Sequence, residues 1–199
     1  MEKALKRYID SDHADGKEEL RQLVQQTSSV DRYSLLMNVR GDKYSGNTGP
    51  HIAALYNDLE TMKCMLKGFA TDQKYNVLKI QVGGGLSALH YATWNGYSSI
   101  ITFLLTDLSQ QQKYNLLQLQ DIDGDTPLHR AASQQKSEVV QAILTSLSLP
   151  LLLQLLNIKN KEDKTAADIR PEVYDQLPVQ TSQGIVILHL PLTYNQFMQ

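Results

Sequence analysis

Apolar side chains recur along the chain with the spacing of a helix face. They fall at i, i+3, i+4 and i+7, which places all four on one side of an α-helix. Three sets, each 39 residues after the last, share this spacing: Met62, Met65, Leu66 and Phe69; Ile101, Leu104, Leu105 and Leu108; Val140, Ile143, Leu144 and Leu147. A weaker copy occurs at Leu20, Leu23, Val24 and Thr27. The pattern therefore predicts one amphipathic helix in each copy of a repeat.

A short block with a fixed pattern precedes each of these helices. It reads GNTGPHIAA at 46–54, GLSALHYAT at 85–93, GDTPLHRAA at 124–132 and DKTAADIRP at 163–171. A hydroxyl residue stands in each copy where an N-cap side chain bonds a backbone N–H of the following helix: Thr48, Ser87, Thr126 and Thr165. We expect the periodic histidines to bond backbone groups between repeats: His51, His90 and His129.

A third block follows the amphipathic helix. It reads DRYSLLMNV at 31–39, QKYNVLKIQ at 73–81, QKYNLLQLQ at 112–120 and LLLQLLNIK at 151–159. Its leucine, isoleucine and valine residues predict a short extra helix. Each repeat is thus a turn, a short helix, a longer amphipathic helix and this extra helix. No single repeat can bury its apolar face alone, so the repeats are expected to stack into one continuous core.

The block at 124–132 resembles the ankyrin repeat, whose usual period is about 33 residues. The longer period here comes from the third block, and the resemblance spans about 17–177. Two copies depart from the family pattern: Gly49-Pro50 replaces Pro-Leu in the first, and Ala88 replaces Pro in the second. The resemblance implies an all-α fold, a solenoid of ankyrin-type helical repeats with β-hairpin-like turns between them.

The repeats also suggest how the chain is divided. We expect N-terminal capping helices over 1–40, three repeats over 41–82, 83–121 and 122–160, a C-terminal capping repeat over 161–177, and a tail over 178–199. The tail segment IVILHL is compatible with a strand, with a segment packed along the array, or with a disordered ending. The sequence leaves these alternatives open.

Composition narrows the classes of partner. Among the 199 residues, 19 Lys and Arg stand against 21 Asp and Glu, which gives a net charge of −2 and argues against a dedicated nucleic-acid or anionic-membrane binder. Cys64 is the single cysteine, so it can form no intramolecular disulfide, and a reducing compartment is expected. The first residues lack a signal-like apolar stretch, and the run at 147–156 is too short to cross a bilayer. These features predict a soluble, cytoplasmic chain.

One segment imitates a nucleotide site. Gly83-Gly84-Gly85 with Ala88 fits G-x-G-x-x-A, and Asp107 follows at a distance typical of a ribose-binding acid. This makes a nucleotide-binding protein or enzyme the alternative function. The aligned turns of the other repeats lack the glycine pattern, so a structural turn is favoured.

No other motif indicates catalysis, a cofactor or a metal. The segment 41–48 imitates a phosphate-binding loop but has Asn47 where lysine is required, and 121–126 imitates a calcium loop but places Ala132 where glutamate is required. Stacked repeats also hold their histidines too far apart to share one zinc ion. Cys64 is interpreted as a packing residue. We therefore expect no enzyme activity.

Function is then expected on a surface. In proteins resembling this one, partners contact the tips of the turns and the ends of the first helices. Those positions are Tyr44, Asn47, Leu86, Asp123 and Asp125 at the tips, and Leu55, Tyr56, Trp94, Asn95 and Gln134 at the helix ends. The predicted function is a scaffold or adaptor that binds another protein, or an extended peptide with apolar and basic residues, on the concave face.

Two questions stay open at this point. Trp94 and Tyr56 either face a partner or pack against the turn of the next repeat. The chain is expected to be a monomer or a segment of a larger signalling protein.

Overall fold

The computed structural model of the chain describes residues 1–11, 16–42, 46–171, 177–181 and 184–188. Within those ranges the chain forms thirteen α-helices and one two-stranded hairpin. It divides into two compact units, Met1–Ala92 and Thr93–Gln199. The described part has no helix that is both long and apolar enough for a membrane span.

The first unit is built from six helices and the first half of a seventh. Their bounds are α1 Glu2–Asp10, α2 Lys17–Gln26, α3 Ser29–Asn38, α4 Gly49–Leu55, α5 Leu59–Leu66, α6 Thr71–Leu78 and α7 Ala88–Asn95. Helix α1 packs on α2 and α4, while α5 packs on α2 and α4. The buried side chains of α1 and α2 thereby cover the apolar face of the first repeat.

The second unit contains the later repeats and the hairpin. Its elements are α8 Ser98–Leu105, α9 Gln110–Leu117, α10 Pro127–Ser133, α11 Ser137–Leu144, α12 Leu149–Leu156, α13 Ala166–Ile169, β1 Leu177–Thr181 and β2 Gly184–Leu188. Helix α11 packs on α8 and α10, α12 packs on α9, and α10 packs on α13. The strands pair antiparallel, from Leu177 opposite Leu188 to Thr181 opposite Gly184. The first part of IVILHL is therefore a strand, while residues 189 and 190 lie outside the described residues.

Every full repeat carries the three predicted helices. The first helices are α4, α7 and α10, the second are α5, α8 and α11, and the extra third helices are α6, α9 and α12. The second helix has eight residues in each repeat. It is longer than the first helices α4 and α10, which have seven, but not longer than α7 or the extra third helices, so the expectation that it is the longer one holds only against α4 and α10. The chain turns at positive φ at Gly68 (74°) and Asp107 (60°), so Phe69 and Leu108 lie beyond the helix ends.

The predicted caps are confirmed, and so are the predicted backbone bonds of His51 and His129. The Thr126 backbone N–H donates to Nδ1 of His129 at 3.2 Å, and the Thr126 hydroxyl lies 2.8 Å from the same nitrogen. Because Nδ1 accepts, the ring proton is assigned to Nε2, which lies 3.1 Å from the carbonyl oxygen of Lys164 in the next repeat. His51 repeats the arrangement with the carbonyl oxygen of Ile80, at 3.2 Å. His51 and His129 therefore each join their own turn to the next one.

Candidate functional site

The most exposed aromatic side chain of the described residues lies at the end of a first helix. Trp94, near the end of α7, is 46% exposed. The guanidinium of Arg130, from α10, lies over its indole ring at 5.1 Å from the centroid. A cation on one face of the indole is attracted by the ring quadrupole. The contact fixes one face of Trp94 and leaves much of the side chain exposed.

Three carboxylates hold Arg130 in this place. Asp121 and Asp123 each accept a hydrogen bond from the guanidinium at 2.6 Å, and Asp125 lies 3.3 Å from it. Burial alone would lower the pKa of Arg130, but the bonds to Asp123 and Asp121 raise it above its ordinary value. One cation against three anions leaves two net negative charges at this turn.

The turn itself is built around Asp121. Its buried carboxylate accepts the backbone N–H groups of Asp123 at 2.9 Å and Asp125 at 3.1 Å. The side chain of Asp125 is buried as well and accepts from the Asn160 amide at 2.8 Å. Ile122 and the Asp123 carboxylate point outward, each 65% exposed. The acidic turn thus presents one apolar and one charged side chain.

Two other predicted positions of the second unit, Asn95 and Gln134, lie at the ends of first helices. Asn95 is partly exposed, and Gln134 is exposed at the end of α10, where its N–H donates to the carbonyl of Arg130 at 3.3 Å. Arg130 is the residue that joins Trp94 to Asp123, and it is not among the positions predicted from the sequence. The sequence does contain an indication of its role. Asp121, Asp123 and Asp125 alternate along one turn, and three carboxylates so close together need a cation between them.

The predicted positions of the first unit differ in how exposed their side chains are. Asn47 is 1% exposed, and its side-chain oxygen accepts from the Tyr91 hydroxyl at 3.3 Å. Leu55, Tyr56 and Leu86 are partly exposed. Tyr44 lies outside the described residues.

The glycine-rich turn does not have the context of a dinucleotide site. Such a fingerprint follows a β-strand, whereas the element before Gly83–Gly85 is helix α6. Val82 and Leu86 close the turn through two backbone hydrogen bonds of 2.9 and 3.0 Å. Gly84 and Gly85 both have φ of 77°, which explains the glycines by backbone conformation. The geometry favours the structural interpretation of this segment.

Titratable side chains in the described residues are the candidates for a metal or catalytic site. No group of three or more His, Cys, Asp or Glu side chains there could hold a metal ion. Burial lowers the pKa of His51 to about 4, so the ring is neutral at pH 7. Cys64 is partly exposed on α5.

Comparison with protein families gives two matches. A family model of ankyrin repeats in three copies matches residues 18–115, and a model of a single ankyrin repeat matches residues 123–148. A search of curated proteins finds no match. Together the two matches run from α2 into α9 and, in the third full repeat, over α10 and α11.

Proposed function

The chain belongs to the ankyrin-repeat family, and from this premise we propose that it is a non-catalytic scaffold that binds a partner protein. Ankyrin repeats generally serve as protein-interaction modules, which supports this role. The binding site that we propose in the second unit is formed by Trp94, Ile122, Asp123 and Arg130, called here the Trp94 surface. The observation that carries the proposal is the exposed indole held by Arg130.

A tryptophan in this setting has the properties of an interface anchor. It buries a large area with few rotatable bonds, and tryptophan, tyrosine and arginine dominate the energetic hot spots of interfaces. Arg130 is already fixed by its carboxylates, so little side-chain entropy is lost when a partner covers the indole. Ile122 adds a second exposed apolar side chain beside the turn.

The charge of the surface favours a basic partner. Three carboxylates and one guanidinium leave a net negative turn, and the most exposed of the carboxylates is Asp123. We propose that the partner is a protein segment, extended in shape, with an apolar residue for Trp94 and a lysine or arginine for Asp123. Complementary charges of this kind mainly set specificity and association rate.

The other predicted positions differ in exposure, so only some of them remain candidates for the binding surface. Leu55, Tyr56, Leu86, Asn95 and Gln134 are at least partly exposed and stay candidates for partner contact. Asn47 and Asp125 are buried, so we leave their side chains out of the binding surface. The cytoplasmic location, the lack of a nucleic-acid partner and the monomeric state stay predictions from the sequence.

Quantitative affinity capture with matched variants tests the anchor. Trp94→Ala removes the indole, and Val30→Ala is the control because Val30 is an exposed apolar residue of α3, at 68%. A partner retained by the wild type and by Val30→Ala, but lost by Trp94→Ala, supports the proposal. With that partner purified, Trp94→Ala should weaken binding by about 2 kcal/mol or more. If a folded Trp94→Ala chain retains the same proteins as the wild type, the proposed anchor is wrong.

The basic character of the partner has its own test. Asp123→Lys reverses an exposed charge on the Trp94 surface, while Glu60→Lys reverses a charge of similar exposure, 66%, on α5. We expect Asp123→Lys to slow association and to reduce its salt dependence, with Glu60→Lys close to the wild type. Equal effects of the two variants would contradict a basic partner at this site.

A further inference from the structure

A pocket in the first unit is lined by cations and by no carboxylate. It has a volume of about 560 Å³ between α2, α3 and α5, and its lining residues are Val24, Gln25, Arg32, Cys64, Lys67 and Gly68. Small-molecule sites in proteins usually have volumes of about 300–1,000 Å³. The size of the pocket is therefore that of a ligand site.

Arg32 is the buried cation of this pocket. Its side chain extends from α3 and the residue is 7% exposed. It donates to the main-chain carbonyls of Val24 at 3.1 Å and Thr27 at 2.6 Å, and also to that of Lys67. These acceptors are neutral groups at the ends of α2 and α5.

The charge of Arg32 has no anionic partner in the described ranges. No ion pair to a carboxylate is formed there, and its buried Nε–H has no hydrogen-bond acceptor. Burial lowers the pKa of Arg32, which shows that its surroundings disfavour the charged form. A buried charge without a counter-ion is costly, so an anion brought beside it would be stabilised.

Two residues next to Arg32 add a positive charge and free space for an anion. Lys67 is exposed and adds a second positive charge. Gly68 has φ of 74°, and a Cβ at this position would lie 4.0 Å from Nη2 of Arg32. The missing side chain therefore leaves space beside the guanidinium.

The second unit contains a pocket built from the corresponding positions, and it serves as an internal comparison. Lys113 occupies the position of Arg32 in the third block, and its Nζ donates to the carbonyl of Ser146 at 3.4 Å. Thr145 and Ser146 stand where the first unit has Lys67 and Gly68. This pocket has a volume of about 240 Å³ and one cation. The first-unit pocket differs by its second cation, its glycine and its larger volume.

We infer that the pocket between α2, α3 and α5 binds an oxyanion, the carboxylate or phosphate group of a small organic molecule, between Arg32 and Lys67. The two cations supply the charge, and the volume of the pocket accommodates the rest of the molecule. This site is independent of the Trp94 surface and of the proposed partner protein.

Titration of the intact chain with small anions tests the site. Acetate, inorganic phosphate and phenyl phosphate are added at constant ionic strength, and the backbone amide signals of Cys64 and Gly68 are followed by NMR. We expect saturable shifts of both signals. Lys67→Gln should weaken binding by about fivefold, as expected for loss of one exposed charge contact. Arg32 is left in place because its bonds to three carbonyls hold the fold.

The control is Lys63→Gln, which removes the same charge from α5, one turn before Lys67 and outside the pocket. Lys63 pairs with Glu60 at 2.8 Å and does not line the pocket. Saturable binding that is weakened by Lys67→Gln and not by Lys63→Gln supports the inference. Tighter binding of the two phosphates identifies a phosphate ligand, and tighter binding of acetate a carboxylate. Shifts that do not saturate, or that weaken equally in both variants, overturn it.

Discussion

Replacing Asp58 tests whether a buried carboxylate fastens the N-terminal helices to the first repeat. Its side chain is 2% exposed. One carboxylate oxygen accepts from Arg21 at 2.6 Å and from the Thr61 backbone N–H at 3.1 Å. The other lies 3.2 Å from Nζ of Lys17 and 3.3 Å from the Tyr8 hydroxyl. The carboxylate thus caps α5 and contacts both α1 and α2.

The magnitude follows from these two roles. Loss of an N-cap costs about 1 kcal/mol. Breaking a fully buried ion pair costs about 3–5 kcal/mol, and because Arg21 keeps 24% exposure we take a value below that range, about 2 kcal/mol. Asp58→Ala should therefore lower the free energy of unfolding by about 3 kcal/mol. Asp58→Asn keeps a capping oxygen and should cost about 1–2 kcal/mol.

Urea denaturation followed by circular dichroism measures these differences. The matched control is Glu60→Gln, an exposed carboxylate of the same helix whose pair with Lys63 should contribute less than about 0.5 kcal/mol. A cost of Asp58→Ala no larger than that of Glu60→Gln would refute the reasoning. So would a larger cost for Asp58→Asn than for Asp58→Ala.

The same cluster predicts a dependence on pH. Burial of Asp58 would raise its pKa, but the bonds from Thr61 and the charges of Lys17 and Arg21 outweigh it, and the pKa lies below its ordinary value of 3.8. The carboxylate therefore stabilises the fold above pH 3.8, and this contribution is lost as the pH falls through the lower folded-state pKa. The difference between the wild type and Asp58→Asn should shrink in that window. A difference that stays constant below pH 3.8 would contradict the electrostatic explanation.

Further predictions concern single positions. The pKa of His51 is about 4 in the folded chain against an ordinary 6.5, so the free energy of unfolding should fall from pH 6.5 to about 4; His51→Gln should flatten that slope in urea titrations. Gly124→Ala should cost about 3 kcal/mol by the same assay, because its φ is 78° and its Cβ would lie 2.7 Å from the backbone nitrogen of Lys161. Gly46→Ala, with φ of 83° and open space around it, should cost about 1 kcal/mol. Arg130→Ala should lower the thermal midpoint by leaving its carboxylates without a cation, at a cost of about 2 kcal/mol; an unchanged midpoint would contradict this role.

Local features of the fold were predictable because they depend on residues close together in the chain. The Thr126–His129 cap joins positions three residues apart, so the sequence pattern contains the whole contact. The extra helices were predictable for the same reason, since their apolar positions repeat with the rest of the unit. The length of the second helix was not predictable, because Asp107, just after α8, adopts a positive φ that is uncommon for a residue other than glycine.

Features of the candidate site depend on contacts between distant residues. Trp94 and Arg130 are 36 positions apart, and their contact exists because the turn before α10 holds Arg130 over α7. The side chains of Asn47 and Asp125 lie inside their turns, and side-chain direction in a turn follows from backbone dihedrals that the repeat pattern does not specify. The sequence contains one indication that Asp58 has a role specific to the first repeat. The aligned positions of the next two repeats are Tyr97 and Lys136, so neither repeats the carboxylate.

The cation of the third block joins neighbouring repeats through a main-chain carbonyl. Arg32 and Lys113 each reach into the following repeat and bond a main-chain carbonyl there, that of Lys67 or that of Ser146. A carbonyl is present whatever residue occupies the accepting position, so the contact places no demand on the neighbour's side chains. Repeats of this type could therefore be duplicated, deleted or exchanged without matching substitutions at this junction. The third block, which lengthens the period, thus adds a hydrogen bond between repeats that does not depend on which side chain the accepting residue carries.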